Sequence, residues 1–251
     1  RNNSIAPITG TFRRSQTASG NAYMWILGSI GGATGNLTNS NWNGKTVWNQ
    51  TYSSGNGRDN FRAVAQDSEF LYLAGYYSNS NSNDDWILEK RYKQNKSLVW
   101  DYKYGTTGGD RIQDIVVNGS NQIYAGGFKQ DGVWRLEKLN STGESQWVHT
   151  FNNTDNREVL HEMTIGSDGG LYLGGAYYTS SGDRNRRVEK LDNSGSSQWV
   201  YTFGTSNRDR VRGIASDDSG GIYTVGDGNY SGGSTAKWQV RKLNTAGDME
   251  L

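Results

Sequence analysis

Lys138 to Phe151 reads KLNSTGESQWVHTF, and further along the chain Lys190 to Phe203 reads KLDNSGSSQWVYTF. A chain that writes nearly the same stretch twice is a repeat protein, and the period decides its architecture. The Trp of this stretch recurs at Trp48, Trp100, Trp147 and Trp199, with spacings of 52, 47 and 52 residues. Aligning KLNTAGDMEL with KLNSTGESQW puts Leu251 at the next Trp position. A second landmark is a Tyr inside a short apolar run, at Tyr23, Tyr72, Tyr124, Tyr172 and Tyr223. Together the landmarks define five units of about fifty residues.

Each unit resolves into four short alternating runs separated by turn residues, the signature of strands. In the last unit they are RVRGIAS from Arg210, GGIYTVG from Gly220, KWQVRKL from Lys237 and DMEL from Asp248. DDSG and NTAG join them, and the turns NGSN, GSDGG, NSTG and DNSG of other units likewise carry the Gly, Asn and Asp that tight hairpins require. Four antiparallel strands at this period predict propeller blades rather than helical repeats. The expectation is a single all-β domain over residues 1–251, a five-bladed β-propeller with four antiparallel strands per blade. Its repeats run over about 11–52, 58–104, 110–151, 157–203 and 209–251, and residues 1–10 fasten the ring against the fifth blade. The alternative for residues 1–10 is a frayed tail.

The composition agrees with a β fold and limits the function. The 251 residues include 34 Gly, 9 Trp and 15 Tyr but one Pro, so aromatic side chains must supply much of the buried area. Trp48, Trp100, Trp147 and Trp199 share one strand position and are expected to be largely buried. Trp42, Trp86, Trp134 and Trp238 share another, where the remaining unit has Arg187 or Val188. Eight of the nine Trp thus read as packing between blades, with stacking on sugar faces as the other reading. A net charge of +1 creates no global field for nucleic acid or an anionic membrane. No stretch reaches the length of a membrane span. The absence of Cys excludes disulfides, thiolate metal sites and Cys nucleophiles. No signal peptide is visible, and a chain opening on Arg1 reads as processed or trimmed. Asn-X-Ser/Thr sequons such as those at Asn95, Asn118 and Asn140 matter only in a secreted eukaryotic protein.

An Asp, then I..D..G.IY.GG, then W.L.KL...G...W..TFG, resembles the β-propeller repeats of bacterial secreted and surface proteins over residues 11–251. STGESQW is similar to the tryptophan-docking turn of quinoprotein propellers, a likeness that implies a packing role. Five blades also resemble the tachylectin type of sugar-binding propeller in architecture. These resemblances imply a secreted or cell-surface protein.

Candidate chemistry lies at two places. The innermost strands align Arg13, Arg62, Gln113, His161 and Arg212 at one position, and Arg14, Ala63, Asp114, Glu162 and Gly213 at the next. Upstream stand Asp59, Asp110, Asp155 and Asp209, with Arg58, Arg111, Arg157, Arg208 and Arg210 close by. At a channel mouth these residues either cap turns and tie blades together or bind a sugar or carboxylate through the planar Arg fork. The second place is the variable loop after Y.GG, which carries Tyr76, Tyr77, Phe128, Tyr177, Tyr178 and Tyr230. Asp84, Asp85, Asp131, Asp183 and Asp227 lie near them. Exposed rings beside polar groups suit saccharides, and loops on a rigid scaffold commonly carry function. Ordinary solvated loop is the alternative.

Enzymatic signals are few. His149 and His161 are the only histidines, and no HExxH motif or His cluster offers a metal site. No GxSxG elbow occurs in a strand-to-helix context, and GSIGGATG lies in a β hairpin. Asp114 and Glu162 could form a glycosidase carboxylate pair across the channel. The expected function is non-enzymatic, multivalent carbohydrate binding, with no cofactor, no metal, no catalytic residue, no nucleic-acid partner and no membrane insertion. The ligand-binding residues are then Tyr76, Tyr77, Phe128, Tyr177, Tyr178, Tyr230, Arg13, Arg62, His161 and Arg212. A glycan-acting enzyme and a scaffold with a protein partner are the alternatives, and fold alone decides among none of them.

Overall fold

The structure is a computed structural model. It describes residues 12–16 and 22–26, the backbone alone there, and 59–250 apart from 80–82, 130–131, 152–158, 180–181, 206–207 and 231–236. Side chains of 229, 230 and 250 are likewise undescribed. The expectations for residues 1–10, Trp42, Trp48, Arg58, Asp131, Asp155, Arg157 and GSIGGATG lie outside the described residues.

All described regular structure is β. A hairpin of β1 (Phe12–Gln16) and β2 (Ala22–Ile26) is followed by four antiparallel sheets, each of four strands in chain order. The first comprises β3 (Asn60–Gln66), β4 (Phe70–Ser78), β5 (Asp84–Tyr92) and β6 (Leu98–Tyr104). The second comprises β7 (Arg111–Val117), β8 (Ile123–Phe128), β9 (Trp134–Leu139) and β10 (Ser145–Thr150). The third comprises β11 (Val159–Ile165), β12 (Leu171–Tyr178), β13 (Arg184–Leu191) and β14 (Ser197–Phe203). The fourth comprises β15 (Arg208–Ser216), β16 (Ile222–Tyr230), β17 (Lys237–Leu243) and β18 (Met249–Glu250). The first strands lie side by side, β1 by β3, β3 by β7, β7 by β11 and β11 by β15.

The core lies between sheets. Tyr72, Ala74, Trp86 and Leu88 of the first four-stranded sheet meet Ile112, Ile115, Ile123 and Leu139 of the second. Trp134 and Leu136 then meet Leu160, Met163 and Leu171, and Val188 meets Val211 and Ile214. Alternating side chains make this possible, since each strand offers one residue in two to a given face.

The two Trp rows differ in depth. Trp86 and Trp134 are 0% exposed, whereas Trp100, Trp147 and Trp199, expected to be largely buried, keep part of their surface open to water. The latter three dock on the last turn of the following sheet. Each indole Nε1 donates to a turn carbonyl: Trp100 to Ser141 at 3.2 Å, Trp147 to Asn193 at 3.1 Å and Trp199 to Thr245 at 2.9 Å. Each ring lies flat where a Cβ on Gly143, Gly195 or Gly247 would stand, and these glycines have φ of 87°, 84° and 89°. Only glycine meets both demands cheaply. Trp238 departs from its row altogether at 94% exposed. The residue at the Trp86 and Trp134 position in the third sheet is Arg186, one place before the expected Arg187 or Val188: Glu137 and Lys138 align with Glu189 and Lys190. Arg186 is buried, 3.5 Å from Asp209, and donates to Gln239.

Every first ladder of the four-stranded sheets carries a β-bulge at the same place: Phe61/Ala63, Ile112/Asp114, Leu160/Glu162 and Val211/Gly213. The second glycine of Y.GG exists for this crossing. A Cβ on Gly75, Gly127, Gly175 or Gly226 would strike the carbonyl oxygen of the residue preceding the bulge. The β1–β2 ladder has no such shift, and Arg13 sits directly opposite Trp25.

Candidate functional site

The extra residue of each bulge is Arg62, Gln113, His161 or Arg212. These are the aligned inner-strand positions that the sequence singles out, and bulges re-aim side chains next to functional sites. Because the first strands are neighbours, the four residues form a row across four sheets. Arg62 Nη1 donates to Gln113 Oε1 at 2.7 Å, which joins the first two members of the row. Arg62 is exposed, while Gln113, His161 and Arg212 are half-buried. The side chain of Arg13 is not described.

The next residue of each strand has a different task. Asp114 Oδ2 accepts the backbone N–H of Met163 at 2.6 Å, and Glu162 Oε2 accepts that of Ile214 at 3.0 Å. Both carboxylates are buried and tie one sheet to the next. A carboxylate pair facing each other across open space is not what these two residues form.

The upstream Asp residues are structural too. Asp110 Oδ2 accepts both the N–H and the hydroxyl of Thr106 at 2.7 Å, and Asp209 Oδ2 does the same for Thr205 at 2.8 Å. Both are fully buried. Arg111 Nε binds Asp84 Oδ2 at 2.8 Å. Asp227 takes Arg212 Nε on one oxygen and Arg210 Nη2 on the other, each at 2.8 Å. Burial works to raise the Asp227 carboxyl, but the hydrogen bonds and charges of Arg212 and Arg210 outweigh it and hold it below the usual range.

In each sheet the second-to-third strand hairpin lies at the same end as the bulge, because the strands alternate in direction. The aromatics expected on exposed loops are instead on strand ends. β4 and β5 pair as far as Ser78 opposite Asp84, and β12 and β13 as far as Tyr178 opposite Arg184. Tyr76 is 9% exposed, with the guanidinium groups of Arg62 and Arg111 at 5.3 and 4.9 Å from its ring centroid. Arg111 also reaches the Phe128 ring at 5.9 Å. The structure thus brings Arg62, Tyr76 and Phe128 together around Arg111. Tyr77 is half-buried; burial and the neighbouring Asp85 raise its hydroxyl, and Lys103 lies 5.4 Å from its ring. Tyr177 and Tyr178 are half-buried on β12, and Arg184 covers the Tyr178 ring at 4.5 Å and donates to its hydroxyl. Asp84 and Asp85 are buried rather than open to a ligand, Asp85 taking Asn79 Nδ2 at 2.9 Å. The Tyr230 side chain lies outside the described residues.

His149 packs on Phe151 with ring centroids 4.5 Å apart. Among the described residues no group of three His, Asp or Glu could hold a metal ion.

The opposite end of the sheets carries a feature the sequence reading passed over. Lys90, Lys138 and Lys190 each stand 5.5 Å from the ring of Tyr72, Tyr124 or Tyr172. Each donates to the same turn carbonyl as the neighbouring Trp: Ser141 at 3.0 Å, Asn193 at 3.2 Å and Thr245 at 3.1 Å. The Lys in W.L.KL, nine or ten residues before each docking Trp, was its signal. No family model matches the chain, and no curated protein matches it.

Proposed function

We propose that the chain is a five-bladed β-propeller, resembling those of bacterial secreted and surface proteins, that binds carbohydrate at several similar sites without catalysis. The observation that carries this reading is the repeated bulge. It presents Arg62, Gln113, His161 and Arg212 in a row, beside strand ends that bear Tyr76, Tyr77, Phe128, Tyr177 and Tyr178. Donor side chains next to the partly exposed rings of Tyr77, Phe128, Tyr177 and Tyr178 suit a saccharide, whose hydroxyls take the hydrogen bonds while its C–H face lies on a ring. Near-equivalent shallow positions favour weak contacts added together over one deep pocket. The engagement of Asp114 and Glu162 in ties between sheets counts against a glycosidase. In this reading the protein acts outside the cell or at its surface, and residues 1–10 pair with the fifth blade.

The test is a broad glycan array, followed by capture on a surface coated with whichever glycan is retained. Tyr77→Ala and Tyr178→Ala should weaken capture with little change in stability, and Arg62→Ala should do the same. Full capture by all three variants, or an array with no retained glycan, would transfer the protein to the scaffold class. Turnover of the glycan, lost in Asp114→Asn or Glu162→Gln while binding survives, would establish the enzyme reading instead.

A further inference from the structure

We infer that the row of bulge residues takes an acidic saccharide, one that carries a carboxylate or a sulfate group. This rests on the carbohydrate reading above and names the kind of sugar. The bulge sets Arg62, Gln113, His161 and Arg212 on neighbouring first strands, and the aligned residue of the first unit is Arg13. No Asp or Glu stands at this position in any unit. Acids come one residue later, as Asp114 and Glu162, and both are buried on backbone N–H groups of the next sheet.

The groups the row offers are donors. A sugar hydroxyl both donates and accepts, whereas a guanidinium has N–H donors and no acceptor. Arg62 gives Nη1 to Gln113 Oε1 at 2.7 Å, which occupies the acceptor end of that amide and leaves its N–H end. The Arg62 guanidinium also lies 5.3 Å from the Tyr76 ring centroid, so an exposed side chain is held in place. Arg212 gives Nε to Asp227 at 2.8 Å and keeps its two terminal nitrogens, with 42% of the side chain exposed. Carboxylates beside the row are already engaged: Asp84 takes Arg111 Nε at 2.8 Å, and Asp227 takes Arg210 as well as Arg212. The ligand that fits is therefore rich in acceptors. An oxyanion accepts without donating, and the planar Arg fork matches it through paired hydrogen bonds.

Two observations favour an acidic sugar over any other polyanion. The net charge of +1 gives the chain no overall field that would draw in nucleic acid. At the opposite end of the sheets Lys90, Lys138 and Lys190 give their protons to turn carbonyls, so those cations are already occupied. Beside the row, the partly exposed rings of Tyr77 and Phe128 can take the C–H face of a pyranose.

Paired polymers make the test. Polygalacturonate and its methyl ester share one sugar and differ in charge, as do dextran sulfate and dextran. Capture of the full chain on surfaces coated with each should favour an acidic form over its neutral partner by at least about tenfold. The pair that shows the difference identifies the anion as carboxylate or sulfate. Arg62→Gln and Arg212→Gln should each weaken that capture about tenfold. Lys93→Gln, in the turn after β5 at the opposite end, should leave it unchanged. Equal capture of acidic and neutral forms would overturn the inference and leave the carbohydrate reading standing. So would capture of none of the four polymers while a glycan array retains a neutral sugar; a blank array would sink the reading itself. Duplex DNA held as strongly as the acidic polymer, or an equal loss in Lys93→Gln, would reduce the effect to charge alone and overturn the inference too. Full capture by Arg62→Gln, whose side chain is exposed, decides against it even where Arg212→Gln fails to fold.

Discussion

Trp147 and Asn193 are joined across two sheets by a hydrogen bond of 3.1 Å from the indole to a backbone carbonyl, although 46 residues separate them. The same oxygen accepts Lys138, and the indole ring covers the left-handed Gly195. One turn thus receives a ring, a hydrogen bond and a cation from the sheet before it, and two other turns repeat the pattern.

The first prediction tests that turn. Gly195→Ala must place a side chain at φ 84° and under the Trp147 ring. Strain alone costs about 1–3 kcal/mol, and the displaced ring adds to it. Gly119→Ala, where nothing lies within 4 Å, should be nearly neutral. Urea unfolding of the two variants makes the comparison; equal midpoints would show that the ring does not rest on the turn.

The two Trp rows should separate in energy. Trp134→Ala should cost about 3–5 kcal/mol, the range for emptying a large aromatic site in a core. Trp147→Ala should cost clearly less, since water already reaches part of that ring. Trp147→Phe keeps most of the packing and should lose about 1 kcal/mol, the net worth of one hydrogen bond. A larger loss at Trp147 than at Trp134 would contradict the depths described above.

Asp114→Ala and Glu162→Ala should each destabilise by about 1–3 kcal/mol, because a buried backbone N–H is left without its acceptor. Thermal melts measure this. Unchanged melting temperatures would free both carboxylates for another role.

Acid titration supplies the fourth prediction. Hydrogen bonds from the Ser219 hydroxyl and the Gly221 N–H hold the Asp217 carboxyl at about 2, below its ordinary 3.8. A depressed carboxyl contributes stability that is present above the unfolded value and lost as pH falls through the folded one. That contribution should fade between about pH 4 and pH 2, and Ser219→Ala should move the midpoint upward. Carbon-detected NMR of the Asp217 carboxyl reads it; a midpoint at 3.8 would remove the turn from the account.

Much of the fold was legible because the repeat prints its strand boundaries several times. KWQVRKL was read from Lys237 to Leu243, and β17 has those bounds. Depth was not legible. Equal spacing makes Trp100, Trp147 and Trp199 equivalent, but their exposure depends on whether a ring meets a sheet face or a turn, which no period encodes. Arg186 was missed because RNRRVEK offers several residues within one step of the Trp position, and only the ladder fixes the register. The strand ends at Tyr76, Tyr77 and Tyr178 read as loop because their polar, Asn- and Ser-rich neighbours mimic turn chemistry, while cross-strand pairing carries the strand through them. At the candidate site, the sequence aligned Arg62, Gln113, His161 and Arg212 but gave no sign that each is the supernumerary residue of a bulge.

The docked indoles impose a direction on biosynthesis. Trp100, Trp147 and Trp199 find their acceptors 41, 46 and 46 residues later in the chain. During translation each sheet therefore leaves the ribosome with its outer strand still loose, and the turn that latches it emerges only when the next unit is nearly complete. Assembly proceeds from the amino end with one unit always waiting, and a ribosome stalled between units holds a single unlatched sheet rather than a wholly unfolded chain.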